Sequence, residues 1–469
     1  MNRRDFFSQS ATGLSGIALA WLLQQDARAA EKATGGHPPG PHFAPKAKRV
    51  IQIFCPGGVS HVDTFDYKPE LIKLDGKAMT GKGTTDTFFG QPGNLMKSPF
   101  AWKQYGKSGR WVTDLFPNLA ERVDDLTFIH SMVAKSANHT PAGFQMNSGF
   151  VLNGFPAMGS WISYGLGSLT DDLPAFVVLP DPRGFPAGGA INWSNGFLPA
   201  THQGVAFRTT GDPIPDLSTP KETTAKERQG SLNLLEEMNR DFAREQGNDT
   251  SLQARVRSYE LAARMQLKVP EVVSIAKETE ATKKMYGLDH PVTEGFGKNC
   301  LLARRLLENG VRFVQLFHGG AFGSPRINWD GHENLQDNHR KQAEILDKPF
   351  AGLLQDLKQR GMMQDTLVLW TTEFGRTPFT QGLGKPGRDH HQHGFTIFMA
   401  GAGFKPGIAH GATDEIGYKT VENETTIYDF HATVLHLLGI EHTKLTYYHN
   451  GIQRRLTDVH GEVIKEILA

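Results

Sequence analysis

The fold is decided by a short apolar stretch, RVIQIFC at residues 49–55, which is followed at once by PGG at residues 56–58. An unbroken run of β-branched and aromatic residues of this length is typical of a strand buried on both faces, and Pro-Gly-Gly ends it in a loop. Similar runs lie at residues 126–130, 175–180, 311–317, 366–371 and 395–400. Together these runs predict the strands of one central sheet.

Helical patterns lie between the later strands. The helices predicted at residues 300–309, 338–360 and 426–438 each end at a glycine, which is typical of a helix C-terminus. Strands that alternate with helices predict an α/β protein with three layers, in which a mostly parallel sheet carries helices on both faces.

Residues 219–290 have a different composition, rich in Glu, Lys, Arg, Ala, Leu and Gln, with apolar residues at helical spacing. We interpret this segment as a helical insertion whose charged residues face solvent. The domain that contains it is predicted to span residues 46–469.

The first thirty residues have the pattern of a twin-arginine export signal. Arg3 and Arg4 precede an uncharged stretch from Ser8 to Leu23, and an A-x-A cleavage site follows at residues 27–29. The apolar stretch is shorter than the roughly 20 residues that a membrane span needs. We therefore predict a signal peptide at residues 1–30, a flexible leader at 31–45, the twin-arginine export machinery as a partner, and no stable membrane span. The predicted location is periplasmic or secreted.

Composition narrows the possible functions. The chain has 50 Lys and Arg against 49 Asp and Glu, a formal net charge of +1, which gives no reason to expect a nucleic-acid partner. Its two cysteines, Cys55 and Cys300, each lie in a hydrophobic stretch. This placement favours two buried thiols over a single disulfide bridge, which remains the alternative.

Side chains that bind metal ions follow three of the predicted strands. Loops at the carboxyl ends of parallel strands gather on one side of a sheet, so residues that are distant in sequence meet there. The predicted ligand pool is Asp63, Asp330, His332, Glu373, Asp389, His390, His391 and His393. Mixed imidazole and carboxylate donors favour a divalent metal, zinc or manganese, or calcium if the carboxylates dominate.

Each part of this pool also has a structural interpretation. The sequence DHHQH at residues 389–393 is equally compatible with a polar surface loop, and Asp330 with His332 would serve to cap the following helix. Ser60, His61 and Asp63 contain the residue types of a hydrolytic triad, but neighbours in one loop rarely have its geometry.

Several stretches, in their order, resemble the alkaline phosphatase superfamily and its sulfatases in particular. HTPAGFQMNSG at residues 139–149 is similar to the sulfatase pattern C-x-P-S-R-x-x-L-x-T-G, and TLVLWTTEFG at 366–375 resembles the strand that leads to a metal-binding turn. DGH at 330–332 and TIYDFHATVL at 426–435 resemble a metal-binding pair and the closing helix. The twin-arginine start and EFGRTP at 373–378 are also similar to a family of exported bacterial proteins that carries a domain-of-unknown-function label and is often described as sulfatase-like.

The resemblance implies roles for particular residues. Sulfatases and phosphatases attack with formylglycine, serine or threonine, whereas the aligned residue here is His139, so His139 or Thr140 is implied as nucleophile or acid/base. Alternatively, the site activates water directly on a metal without a covalent step. Arg376 or Arg388 is implied to bind the anionic group. Family members also carry metal-binding carboxylates at the end of the first strand, where this chain has PGG. Either Asp63 or Asp66 reaches back to this position, or the metal position is lost.

The resulting hypothesis is a metal-dependent hydrolase of sulfate or phosphate esters, acting on a small-molecule or glycan ester. A non-catalytic protein that binds sulfated or phosphorylated glycans at the cell surface is the main alternative, favoured by the missing nucleophile. A metal-dependent oxidoreductase is a third.

Overall fold

The computed structural model describes residues 39–79, 87–89, 91–208, 213–214, 224–245, 250–323, 325–381 and 386–469. The predicted signal peptide and most of the predicted leader lie outside these residues.

The strands are β1 (Arg49–Phe54), β2 (Pro92–Leu95), β3 (Trp102–Tyr105), β4 (Arg110–Thr113), β5 (Leu126–Val133), β6 (Phe176–Leu179), β7 (Val205–Ala206), β8 (Phe313–Phe317), β9 (Thr366–Thr371), β10 (Gly375–Gln381), β11 (Arg388–His391), β12 (Phe395–Gly401), β13 (Ile408–His410), β14 (Ala412–Thr413), β15 (Thr420–Glu422), β16 (Thr425–Thr426), β17 (Tyr447–His449) and β18 (Ile452–Arg454). The α-helices are α1 (Pro69–Lys73), α2 (His139–Ser148), α3 (Met158–Leu166), α4 (Ala225–Glu245), α5 (Thr250–Val273), α6 (Glu280–Met285), α7 (Glu294–Glu308), α8 (Leu335–Gln359) and α9 (Ile427–Leu437).

The central sheet has the strand order β13-β5-β12-β9-β1-β8-β6-β7, with β16 also paired to β5. Strand β1 lies in the middle and pairs in parallel with both β8 and β9. Strand β12 pairs antiparallel with both of its neighbours, β5 and β9, so it runs against the rest of this sheet. All six strands predicted from the apolar runs belong to this sheet, and the mostly parallel arrangement is confirmed.

Alternate residues of the central strands face two separate cores. Ile51 and Ile53 of β1 pack into a cluster with residues of α7 and α8, whereas Val50 and Phe54 pack into a second cluster with residues of α3 and α9. Since successive side chains of a strand point to opposite faces, the sheet is covered on both sides. The predicted three-layer α/β architecture is therefore confirmed.

Three helices, α4, α5 and α6, lie within the range predicted to be helical, and its interpretation as an insertion stays a prediction. Helix α9 begins with a capping box in which the Thr426 hydroxyl and the Asp429 carboxylate each accept a hydrogen bond from the other residue's backbone N–H.

Cys55 and Cys300 are buried free thiols, as predicted. In the part of the chain that the structure describes, no helix combines the length and apolar character of a membrane span.

The carboxyl ends of the parallel strands meet at one edge of the sheet. The segment after β5 leads into α2, the segment after β8 contains Asp330 and His332, and the segment after β9 contains Glu373. Strand β11, which contains His390, pairs with β10 beyond the end of β9 in a small antiparallel sheet. The topology thus brings most of the predicted site residues to one region.

Candidate metal centre

Four side chains from separate segments converge at this edge. They are His139 at the start of α2, Asp330 and His332 between β8 and α8, and His390 on β11, and one ligand atom of each lies within 4.8 Å of the others. The Asp330 Oδ1 atom lies 2.7 Å from His332 Nε2, 3.3 Å from His139 Nε2 and 3.5 Å from His390 Nε2. We call these four residues the His/Asp cluster.

The opposite ring nitrogen of each imidazole is bonded to an oxygen. His139 Nδ1 lies 2.7 Å from Glu373 Oε1, His390 Nδ1 lies 2.6 Å from the Ala137 carbonyl oxygen, and His332 Nδ1 contacts Gln381 Oε1. Because these oxygens accept hydrogen bonds, each Nδ1 carries the proton and donates it. Each Nε2 then keeps a lone pair that faces the common point, which is how metal-binding histidines are oriented.

Two of the three ring nitrogens at the centre, the buried Nε2 atoms of His139 and His390, form no hydrogen bond with any described residue. Burial lowers the pKa of His390 to about 2, so this imidazole is neutral at physiological pH. Neutral imidazole is the form that binds a metal ion.

Asp330 supplies the negative charge of the cluster. Burial alone would raise its pKa, but the Arg376 guanidinium, whose Nη2 lies 2.6 Å from Oδ1, holds the pKa of Asp330 far below its usual range. A second guanidinium, that of Arg326, lies 3.2 Å from Oδ2. Asp330 is therefore a carboxylate, as metal binding requires.

Helix α2 is held in place by a buried layer of amides between it and the sheet. The Asn147 Oδ1 atom accepts hydrogen bonds from Gln315 Nε2 on β8 at 2.9 Å and from Gln52 Nε2 on β1 at 3.4 Å. Since buried amides that are paired specify one arrangement, this layer fixes the position of His139 at the other end of the helix.

Glu373, a predicted ligand, lies next to the cluster and contacts one of its members. Its Oε1 atom accepts hydrogen bonds from His139 Nδ1 and, at 2.7 Å, from the Gly57 backbone N–H. The contacts thus give Glu373 the function of orienting His139.

Asp63 forms a buried ion pair instead of reaching the cluster. Arg388 Nε lies 2.6 Å from Asp63 Oδ2, Arg388 Nη2 lies 3.0 Å from Oδ1, and the Ser60 hydroxyl also donates to Oδ2. Asp66, the other candidate, pairs with Lys68 at 2.9 Å. His61 Nε2 is bonded to the Gly417 carbonyl, so Ser60, His61 and Asp63 do not form a triad.

The remaining predicted ligands on and after β11 point elsewhere. The Asp389 carboxylate accepts from the backbone N–H groups of Phe88 and Phe89, both at 2.8 Å. His391 is bonded to the Tyr418 carbonyl and stacks on the Tyr418 ring, and the His393 ring contacts that of His391. The structure thus brings four of the predicted residues into one group, while Asp63, Asp389, His391 and His393 lie outside it.

The implied catalytic residues have the following surroundings. His139 belongs to the His/Asp cluster, and Thr140 is the next residue in the first turn of α2. Arg376 is fully buried and donates to Asp330 and to the Gly57, Gly58 and Arg388 carbonyls, so these contacts do not favour a direct role in binding an anion. Sequence reasoning missed Gln381, Arg326 and the Ala137 carbonyl, for which no motif provides a signal.

The fold and this site define a three-layer α/β protein with a candidate metal centre made of three histidines and one aspartate. The chain belongs to the family described as "Protein of unknown function (DUF1501)", which it matches over residues 47–468. The predicted membership of a family with a domain-of-unknown-function label is therefore confirmed.

Several solved structures align with the chain at low similarity. The lipoteichoic acid synthase LtaP from Listeria monocytogenes aligns at 12% identity and a TM-score of 0.32, covering 88% of this chain and 78% of that chain. The C-terminal periplasmic domain of EcEptC from Escherichia coli, in complex with Zn, aligns at 9% identity and a TM-score of 0.35, covering 90% and 97%. The alkaline phosphatase from the Antarctic bacterium TAB5 aligns at 12% identity and a TM-score of 0.33, covering 78% and 94%. At these scores the alignments support no conclusion about activity. No curated protein matches the sequence.

The Asp63–Arg388 ion pair leads to a prediction about stability. Asp63→Asn keeps the side-chain size but leaves the buried Arg388 guanidinium without a counter-charge, which we expect to lower the free energy of unfolding by about 3 kcal/mol or more. The urea midpoint measures this loss. As a control, Glu70→Gln removes an exposed ion pair with Lys73 and should leave the midpoint nearly unchanged. Equal midpoints for the two variants would contradict the assigned role of the buried pair.

Proposed function

We propose that this chain is a metal-dependent hydrolase of sulfate or phosphate esters, and that the His/Asp cluster holds its divalent metal ion. The observation that carries the proposal is the arrangement of the imidazoles. Three Nε2 atoms and one carboxylate oxygen face one point, while every Nδ1 is held by an oxygen acceptor. Polar side chains that merely filled space would not orient all three rings alike, with Nδ1 bonded to an oxygen and Nε2 facing the common point.

The donor set fits some metals better than others. Three imidazole nitrogens and one carboxylate oxygen suit zinc, manganese or iron, whereas calcium prefers six to eight oxygen donors. Zinc or manganese is thus the better supported choice among the three predicted metals. A bound ion of this kind polarises an ester oxygen and lowers the pKa of a bound water molecule.

The surrounding residues of the chain have distinct functions in this proposal. Glu373 orients His139, and Arg376 fixes Asp330 from the buried side. Arg326 lies on the accessible side, because 43% of its side chain is exposed while Nη1 contacts Asp330 Oδ2. We assign the anionic group of the substrate to Arg326. With His139 among the ligands, the attacking group is Thr140 or a water molecule.

The ester class rests on the resemblance of residues 139–149 and 366–375 to sulfatases. In such a hydrolysis an oxygen nucleophile bonds to sulfur or phosphorus, the bond to the ester oxygen breaks, and the alcohol leaves with a proton. A hydrolase without a covalent step needs no serine or formylglycine at position 139. The glycan-binding alternative shares the same site and differs in showing no turnover.

Metal content is the direct test. We expect the purified full-length protein to bind one zinc or manganese ion per chain, measured by elemental analysis after dialysis. Asp330→Asn and His390→Ala should each bind less than about one tenth of that amount, because each removes a donor. The same variants should lose at least about 100-fold in kcat/KM on aryl phosphates or aryl sulfates, if the metal ion supplies the catalysis.

His393→Ala serves as the matched control, because this residue is three positions from His390 and lies outside the cluster. It should keep both metal and activity. Failure of the wild type to take up any divalent ion would overturn the hydrolase proposal. Bound iron or copper with visible absorption would instead support the oxidoreductase, and one bound ion without turnover would support the glycan-binding protein.

Glu373 gives a second test of the ligand assignment. Glu373→Gln weakens the hydrogen bond that orients His139, and we expect it to reduce metal affinity about 10- to 100-fold without abolishing binding. Competition with a chromogenic chelator measures this affinity. A complete loss of binding, equal to that of Asp330→Asn, would show that Glu373 is itself a ligand.

We also propose that the protein is exported through the twin-arginine pathway to the periplasm or beyond. The support is the sequence of residues 1–30. Replacing Arg3 and Arg4 together by lysine should leave the protein in the cytoplasmic fraction of a bacterial host with this pathway, because the arginine pair is the recognised signal. Arg28→Lys is the control and should be exported as the wild type is. Export of both variants in equal amounts would exclude this route.

A further inference from the structure

Three phenylalanine rings cover the imidazoles of the His/Asp cluster. The Phe322 ring stacks on His139 with centroids 4.1 Å apart, and the Phe88 ring stacks on His390 at 4.7 Å. The Phe89 ring meets His332 edge-on at 5.4 Å. We call Phe88, Phe89 and Phe322 the phenylalanine rim.

The rim is apolar and accessible. Its side chains are 40%, 47% and 36% exposed for Phe88, Phe89 and Phe322 respectively, although each contacts a histidine of a polar site. A phenyl group that stays partly exposed gives up part of the free energy that complete burial would provide. Exposed aromatic rings grouped around convergent polar groups are typical of a ligand site.

The rim is also tied to the site by its backbone. The N–H groups of Phe88 and Phe89 both donate to the carboxylate of Asp389, which is fully buried and precedes His390 on β11. Phe322 comes from a different segment, after β8. Two separate segments therefore place apolar rings over the same group of histidines.

The mouth of the site thus combines two kinds of surface. The guanidinium of Arg326 and a metal ion held by the cluster would attract an anionic group. The rim offers flat apolar faces, and its rings lie with centroids 4.1 Å and 4.7 Å from those of His139 and His390. A ligand that fits both parts has a compact anionic head joined directly to a flat apolar body. A densely sulfated glycan would bring charged oxygens against the rim, where the phenyl rings offer no hydrogen-bond donor to replace their hydration.

We infer that the substrate is an ester whose alcohol part is an aromatic or similarly flat apolar group, which binds against the phenylalanine rim. This inference rests on the proposed function, because it places the reacting end of the ester at the His/Asp cluster. Of the two predicted substrate classes, a small-molecule ester and a glycan ester, the inference favours a small aryl ester.

Binding of phosphonates tests the inference without turnover. Calorimetry with the metal-loaded, full-length protein compares phenylphosphonate with methylphosphonate, which share the anionic head and differ in the apolar body. We expect the phenyl compound to bind on the order of tenfold more tightly. Phenylsulfonate and methanesulfonate provide the corresponding pair for a sulfate-ester site.

Variants of the rim make the test specific. Phe88→Ala combined with Phe322→Ala should reduce the preference for the phenyl compound to less than about threefold, while metal content and the affinity for methylphosphonate stay unchanged. The control is Phe43→Ala, which removes a phenylalanine of similar exposure, 37%, that precedes β1 and packs on His436. This variant should keep the full preference.

The outcomes separate the two proposals. Metal binding without a phenyl preference, or a preference that survives in the Phe88 and Phe322 variant, would overturn the inference and leave the proposed function intact. Tighter binding of a sulfated or phosphorylated sugar than of phenylphosphonate would overturn it as well. A wild type that takes up no divalent ion would overturn the proposed function and the inference together.

Discussion

The site depends on how the charge of Asp330 is balanced. One carboxylate lies among three imidazoles, with the guanidinium of Arg376 behind it and that of Arg326 beside it. The hydrogen bonds that fix each Nδ1 prevent the rings from turning their N–H groups toward Asp330. Burying polar atoms without a partner costs about 1–3 kcal/mol each, and in the described part of the chain His139 and His390 each leave an Nε2 atom in that state. A cation at the common point would satisfy these lone pairs, and an arrangement this costly is understandable if it binds one.

The sheet topology explains why residues 139, 330, 332 and 390 meet. Strands β5, β8 and β9 end at the same edge, and the β10–β11 hairpin folds back so that His390 reaches the same point. None of these segments is held by the cluster alone. Helix α2 is fixed by the amides under it, and β11 by the Asp63–Arg388 ion pair. The positions of the candidate ligands are thus set by buried contacts outside the cluster, as a preorganised metal site would require.

Much of the fold and part of the candidate site could be predicted from the sequence. Physical reasons explain which residues were assigned wrongly or missed. The apolar runs identify the sheet, because burial on both faces leaves an unambiguous pattern. The ligand pool contains Asp330, His332 and His390, since residues that follow strands must gather at the carboxyl edge. The sequence did not predict which of the neighbouring residues belong to the His/Asp cluster. Asp389, His390 and His391 are consecutive residues of a strand, whose side chains alternate, so His390 points to the cluster while Asp389 and His391 do not. His139 was assigned to catalysis because it aligns with the nucleophile of sulfatases. Its place in the cluster depends on the contact with Glu373, which crosses 234 positions of the chain and leaves no local pattern.

The glycines after β1 explain the departure from the pattern that the superfamily resemblance implied. Gly57 has a φ of 114°, and a Cβ atom there would lie 2.5 Å from the backbone nitrogens of Trp329 and Asp330; one on Gly58 would lie 2.5 Å from the Phe374 ring. The end of β1 is therefore packed too closely against the Asp330 segment to carry a carboxylate side chain. Instead, the Gly57 N–H bonds to Glu373, and Glu373 in turn orients His139. Close packing at the end of β1 thus leaves no room for a carboxylate there, and hydrogen bonds link Gly57, Glu373 and His139 instead.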